Sequence, residues 1–307
     1  MSTSTPRRLI LEESATPHSG EAAPASQDGI AFGGQLLQLG GIGKQSSSTP
    51  FLPLVASRRS VFGLPVYDLD WERALSFVSE LAALPSGQVQ VSFLNANNAN
   101  ILHSDARYRE IVSDHVVLPD GFGVDIASWV LNGKAFTTNL NGTDFVPALL
   151  TYMSTPRRIG LIGARKEVLH KAAERFRSHA PWHTFIAVSD GYFEERDVNA
   201  VIADLADRKL DILIVGMGTP LQEKWIADNI REEHARLVIG VGALFDFASG
   251  AMPRAPQWVR RLRLEWAYRL LCEPRRLWRR YLIGIPVFMW HVLRSRLGGS
   301  DMRRTPR

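Results

Sequence analysis

Cysteine is nearly missing from this 307-residue chain, which holds only Cys272. A single thiol excludes an internal disulfide framework and fits a reducing compartment. Long apolar runs are missing too. No window reaches the roughly 18–20 apolar residues that span a bilayer; the nearest stretch, 281–293, is thirteen residues long and flanked by arginines. A secretory leader is not expected either, because Arg7 and Arg8 precede only Leu9, Ile10 and Leu11 before Glu12 and Glu13 intervene. No Asp-x-Asp metal motif is read at a strand end. Gly216 and Gly218 lack the third glycine of a dinucleotide fingerprint, which disfavours a nicotinamide enzyme such as a nucleotide-sugar epimerase.

What is present is ordinary in bulk and uneven in detail. Apolar residues make up 45% and charged residues 22%, enough to bury a sizeable core. The net charge of +5 hides a split: residues 251–307 carry fourteen Arg, no Lys and three acids, a balance of +11, while the first 250 residues stand at −6. A basic appendage of this kind seeks an anionic partner, whether lipid head groups, nucleic acid or a phosphorylated substrate. Residues 1–58 are rich in Ser, Thr, Pro, Gly, Ala and Gln without sustained period and read as a disordered extension, their glycines at 33–43 as linker rather than phosphate loop.

From Arg59 the pattern becomes that of an α/β domain. Val61 to Leu69 reads as a short strand and turn, with Asp70 capping a helix that buries Ala74, Leu75, Val78 and Leu81. Apolar strands are expected at 89–94, 115–118, 158–163, 184–189, 211–215 and 237–241, with amphipathic helices between several of them. Such alternation predicts a mostly parallel sheet with helices on both faces, and a ligand-binding rim at the strands' C-terminal ends. The central rim stretch is L-P-D-G-F-G-V-D-I (118–126), where Pro119 ends a strand and Gly121 and Gly123 flank Asp120. Asn95, Asn97, Asn98 and Asn100 follow another strand; they read as turn formers, or as hydrogen-bonding groups for a sugar or nucleotide. Gly142-Thr143-Asp144 precedes a helical run, so Thr143 or Asp144 is expected to cap it, with free N–H groups there able to hold a phosphate.

With these segments placed, the chain resembles the WecG/TagA/CpsF family of bacterial glycosyltransferases. The resemblance runs from about Val61 to Pro286. It rests on P-D-G-F-G (119–123), N-G-T-D (141–144), G-M-G-T-P-L-Q-E-K-W (216–225), V-G-A-L-F-D (241–246), R-A-P (254–256), L-E-W-A-Y-R-L (264–270) and E-P-R-R-L-W-R-R-Y (273–281), all in one order. It implies a Rossmann-like α/β domain (59–250) with a C-terminal helical basic appendage (251–307) that docks on the membrane. The implied activity is inverting transfer of one hexose, N-acetylmannosamine, glucose or a related sugar, from a UDP-sugar to a polyprenyl-diphosphate-linked acceptor. The setting would be the cytoplasmic face of the plasma membrane, during assembly of cell-surface polysaccharide.

Position by position, the resemblance implies Asp120 as general base and Gln222 as the second catalytic residue, against the transferred sugar or its diphosphate. Asp246 would belong to the nucleotide pocket. Asn95, Asn97, Gly121, Gly142, Thr143, Asp144 and Gly218 would complete the substrate site. Two departures stand out. The family's Thr-x-Asn reads Phe93-Leu94-Asn95 here, a variant closer to exopolysaccharide-building members than to wall teichoic acid enzymes, and its Arg before G-T-D is replaced by Asn139. No metal or other cofactor is indicated; helix N-termini and cationic side chains would meet the leaving diphosphate.

The arginine arm has its own logic. Arg275, Arg276, Arg279 and Arg280 are expected on one side of a helix, opposed by Leu277, Trp278, Tyr281 and Leu282. Arginines interleaved with tryptophans at helical spacing suit an interfacial helix, and truncation after about Ala251 is then expected to leave a soluble protein. Arg254, Arg269, Arg275, Arg276 and Arg279 would meet the membrane or the acceptor diphosphate. The other uses of such an arm are a charged face within a homo-oligomer and a non-enzymatic nucleic-acid binder; no DNA- or RNA-binding motif supports the latter.

Overall fold

The structure, a computed structural model, describes residues 57–261 and 264–298. The expected extension therefore lies outside the described residues, apart from its last two positions. The first element is an antiparallel hairpin of β1 (Arg58–Val61) and β2 (Leu64–Tyr67). Asp70 then accepts the Arg73 N–H and caps α1 (Trp71–Ala82), as an aspartate before an amphipathic run should. β3 (Val89–Leu94) leads into the asparagine run.

Here structure and expectation differ. The run is a helix, α2 (Ala96–Ser104), not a turn, and Asn95 is its N-cap, accepting from the Asn98 N–H at 3.1 Å. Asparagine has low helix propensity, but Ala99 and Leu102 are buried beneath α2 and packing overrides propensity. A helix that the sequence pattern does not disclose, α3 (Ala106–Ser113), follows, then β4 (Val116–Pro119), α4 (Phe122–Asn132) and α5 (Gly142–Tyr152). The cap of α5 is Asn141 rather than Thr143 or Asp144.

The second half alternates regularly: β5 (Arg158–Gly163), α6 (Lys166–His179), β6 (Thr184–Ser189), α7 (Val198–Arg208), β7 (Leu210–Gly216), α8 (Leu221–Asn229), β8 (Ala235–Gly240) and α9 (Leu244–Ala248). The C-terminal arm comprises α10 (Gln257–Arg261), α11 (Glu265–Cys272), α12 (Pro274–Trp278), a π-turn at Arg279–Ile283 and α13 (Gly284–Leu297).

The main sheet has six parallel strands in the order β4-β3-β8-β7-β5-β6. The chain builds outward through β3 and β4, crosses to β5 and β6, and returns to fill the centre with β7 and β8. All six strands present their C-terminal ends to one edge, where open α/β sheets bind ligands. Strand β7 shows why its sequence is apolar throughout: Ile212 and Ile214 pack with α1, α5, α6 and α9 on one face, while Leu213 and Val215 pack with α7 and α8 on the other. A third cluster joins the hairpin, α2, α4 and α13.

That third cluster changes the picture of the arm. Phe288 and Val292 of α13 are 1% and 0% exposed and belong to the same core as Leu94, Val124 and Ala127. The arm is therefore not a separable appendage, and a truncation after Ala251 would open the core rather than release a soluble domain. The expected helical side of four arginines also splits. Arg276 and Arg280, four residues apart, line the cavity described below, Arg276 from its exposed rim where it pairs with Glu273 at 3.0 Å, while Arg275 and Arg279 do not line it. Finally, an Asp-x-Asp triplet does follow a strand, at Asp68-Leu69-Asp70 after β2. Its carboxylates are in use elsewhere: Asp68 pairs with Arg59 at 2.6 Å and accepts the Thr137 N–H, and Asp70 caps α1.

Candidate active site

The sheet edge holds a cavity of about 760 Å³, within the roughly 300–1,000 Å³ typical of small-molecule sites. Ten of the residues singled out from sequence line it: Asn95, Asn97, Asp120, Gly142, Thr143, Gly218, Gln222, Asp246, Arg269 and Arg276. Gly121, Asp144, Arg254, Arg275 and Arg279 do not. The basis for each placement is local.

Asp120 sits where β4 ends. Parallel pairing of Leu94 with Pro119 brings the next residues, Asn95 and Asp120, side by side. The Asp120 N–H donates to the Leu94 carbonyl at 2.8 Å, and Asn95 Nδ2 donates to Asp120 Oδ2 at 3.2 Å. The following Gly121 has φ +90°, a conformation open to glycine, and its N–H donates to Asn139 Oδ1 at 2.8 Å. Asn139, the departure from the family's arginine, thus holds the loop carrying Asp120. Leu140 N–H adds a second tie, to the Pro119 carbonyl. Asn95 completes the corner, since its Oδ1 also takes a 3.4 Å contact from Arg280 Nη2.

Burial is the largest influence on the Asp120 carboxyl and raises its pKa above the ordinary aspartate value. The Asn95 hydrogen bond and the positive charges of Arg280 and Arg269 oppose that rise, and the charge of Asp144 adds to it. The result is a carboxylate more basic than a surface aspartate, held by one amide and faced by two guanidinium groups.

The opposite wall is built from two loops. β7 ends at Gly216 and runs into Met217-Gly218-Thr219, and after β8 comes Val241-Gly242-Ala243. Gln222, 2% exposed, joins them: its Oε1 accepts the Gly218 N–H at 3.1 Å and the Gly242 N–H at 3.0 Å. Asp246, in the first turn of α9, is half-buried; burial raises its pKa, and Arg276 is the leading opposing charge. Gly142 lies so close to Phe93 that a Cβ would stand 3.0 Å from the ring, which lets the first turn of α5 approach the cavity.

Asp144 and Arg254 form a brace rather than a wall. Asp144 Oδ2 accepts from Asn141 Nδ2 at 3.0 Å, its N–H returns to Asn141 Oδ1, and its Oδ1 pairs with Arg254. Arg254 also donates to the Thr143 carbonyl at 2.9 Å. The pair fixes the first turn of α5 against the segment before α10.

Charge is concentrated at the rim. Arg165, Arg269, Arg276 and Arg280 line the cavity with Asp120, Asp246 and Glu273, so a polyanion meets several guanidinium donors whose forked geometry suits phosphate oxygens. Among the described residues no group of three His, Cys, Asp or Glu side chains is arranged to hold a metal ion. Arg165 lines the cavity and was not singled out in the sequence; Arg280 also lines it but was named there only as part of the arm's arginine face, and Asn139 only as a departure from the family pattern. The four-residue spacing of Arg280 from Arg276 is no signal by itself, because Arg275 and Arg279 share it; the role of Asn139 is hidden because its partner is a backbone N–H eighteen residues away.

Comparison with known proteins finds the following matches. Residues 59–302 match the Glycosyl transferase WecG/TagA/CpsF family. A protein of Bacillus subtilis (strain 168) described as N-acetylglucosaminyldiphosphoundecaprenol N-acetyl-beta-D-mannosaminyltransferase is 35% identical over 208 residues, 67% of this chain and 79% of that protein. A protein of the same description from Bacillus spizizenii is 32% identical over 237 residues, 75% of this chain and 90% of its own length. One from Staphylococcus aureus (strain NCTC 8325 / PS 47) is 29% identical over 204 residues, 66% and 78% of the two chains.

Proposed function

The chain belongs to the WecG/TagA/CpsF family of glycosyl transferases, and from that premise we propose that it transfers a hexose from a UDP-sugar to a saccharide on polyprenyl diphosphate, inverting the anomeric centre. One observation carries the reading. Asp120, Gln222 and Asp246 share a single cavity with arginines of the C-terminal arm, so a base, a donor wall and cations for a leaving diphosphate lie within reach of one ligand.

The chemistry then runs as a single displacement. Asp120 takes the proton of the acceptor hydroxyl as its oxygen bonds to the anomeric carbon, and the bond from that carbon to the UDP oxygen breaks on the opposite face. A general base of this kind is worth about 10²- to 10⁴-fold. One carboxylate suffices, unlike the pair that a retaining glycosidase uses. Arg269, Arg276 and Arg280 neutralise the departing diphosphate, helped by N–H groups at the first turn of α5. Gln222 orients the donor by fixing Gly218 and Gly242, Asp246 faces the nucleotide, and Asn95 and Asn97 meet the sugar end.

The three relatives are described as N-acetylmannosaminyltransferases acting on an undecaprenol-linked N-acetylglucosamine, which supports N-acetylmannosamine or a related hexose as the sugar moved. The F-L-N-A-N sequence at 93–97 supports a polymer of the exopolysaccharide type. Among the described residues no helix is long and apolar enough to cross a membrane; peripheral attachment at the inner face of the plasma membrane fits a lipid-carried acceptor.

The test is UDP release by the purified full chain, offered a panel of UDP-sugars with a short polyprenyl-type diphosphate acceptor carrying one sugar. Release that requires both one donor and the acceptor is expected. Release independent of acceptor, or retention on an oligonucleotide column in place of any transfer, would overturn the reading.

A further inference from the structure

The carboxyl of Glu223 has no place in the chemistry above, yet it is 1% exposed and does not line the cavity. Burying such a group without use is costly. Burial raises its pKa, against the hydrogen bonds it accepts. Those bonds identify its partners. Gln222 Nε2 donates to Glu223 Oε1 at 2.9 Å, and the Thr219 hydroxyl donates to the same oxygen at 2.9 Å.

The orientation of the Gln222 amide follows from its surroundings. Two backbone N–H groups, of Gly218 and Gly242, converge on one end of it, and only an oxygen satisfies both. The NH₂ end must then face Glu223, which supplies an acceptor. There is no slack for another arrangement: a Cβ on Gly240 would stand 2.9 Å from Gln222 Nε2. Glu223 thus decides which way the amide points, and the amide decides whether the loops after β7 and β8 are tied together.

We propose that Glu223 is a positioning residue of the donor site: through Gln222 it locks the Gly216–Thr219 and Val241–Ala243 loops at the separation that a nucleoside diphosphate requires. This rests on the preceding reading of the cavity as a UDP-sugar site, but the lock itself is a property of the unliganded protein.

Two substitutions separate the acceptor oxygen from mere bulk. Glu223→Gln keeps a carbonyl oxygen where Oε1 stands, whereas Glu223→Leu fills similar volume with no acceptor. In the unliganded full chain, amide hydrogen exchange at Gly218 and Gly242 is expected to quicken about tenfold or more in Glu223→Leu, with β7 and β8 themselves unchanged, and to stay near wild type in Glu223→Gln. Affinity for UDP should weaken about tenfold in the Leu variant and hold within about threefold in the Gln variant.

Wild-type exchange at both glycines in a folded Glu223→Leu protein overturns the inference. So does a loss of UDP affinity of about tenfold or more in Glu223→Gln, which would mean that the charge and not the acceptor matters; that result decides the question even if the Leu variant fails to fold. A wild-type protein without affinity for UDP would count against the reading of the cavity, while the exchange rates still judge the lock.

Discussion

Asp120 is pulled in two directions, upward in pKa by burial and downward by Asn95, Arg280 and Arg269. The balance sets the pH range in which it serves as a base. Since its pKa is raised, it binds its proton at a higher pH than an ordinary aspartate, and turnover should fall on an acid limb lying above the ordinary aspartate range. Removing Arg280 removes one of the influences holding that limb down. Arg280→Met should therefore move the acid limb of kcat/KM to higher pH and reduce kcat by about 10²-fold, from lost stabilisation of the diphosphate. A pH–rate profile checks both; an unmoved limb would place Arg280 away from the base. Asp120 was legible in sequence because Pro119 and Gly121 mark the strand exit around it. Arg280 was not, since which of four neighbouring arginines turns inward depends on how the arm docks, and periodicity within the arm carries no record of that.

Among the elements, α13 and the π-turn before it decide that docking. Asn100 Nδ2 donates to the Gly284 carbonyl at 2.7 Å, tying α2 to the first residue of α13, directly after the turn that carries Arg280, and Phe288 sinks into the core shared with Leu94 and Val124. Phe288→Ala should cost about 3–5 kcal/mol of stability and, at temperatures where the protein stays folded, lower kcat by loosening the arginines. Denaturant unfolding and initial rates check the two effects; a destabilised protein with wild-type kcat would show that the helix serves folding alone. The parallel strands were legible because burial on both faces makes them apolar from end to end. The α2 helix was hidden because asparagine favours turns locally and only tertiary packing makes this run helical. Core contact of α13 was hidden for a related reason: an apolar stripe among arginines looks alike whether it meets lipid or protein, and here Phe288 and Val292 meet protein.

The rest of that stripe remains outside. Leu282, Trp290, Leu293 and Leu297 are 61%, 54%, 52% and 87% exposed, beside the exposed arginines 275, 279, 294 and 296. At the scale of the whole molecule, the part of the chain whose balance is +11 thus exposes apolar and cationic side chains together. Each basic residue near an anionic leaflet contributes roughly 1 kcal/mol. Replacing Leu282, Trp290 and Leu293 with Ser leaves the buried Phe288 and Val292 in place, and should abolish co-sedimentation with vesicles rich in phosphatidylglycerol while thermal stability changes little. Undiminished sedimentation would contradict lipid contact through these side chains. The charge asymmetry of the arm is visible in composition alone, whereas which of its side chains are exposed needed the fold, since the same helices line the cavity with Arg269, Arg276 and Arg280.

The most direct measurement is single-turnover sugar transfer by Asp120→Asn, with UDP affinity determined on the same preparation. The amide keeps the shape of the side chain and removes the proton acceptor. Transfer should drop by at least about 10²-fold with UDP affinity within a few fold of wild type; transfer at the wild-type rate would contradict a carboxylate base at the end of β4.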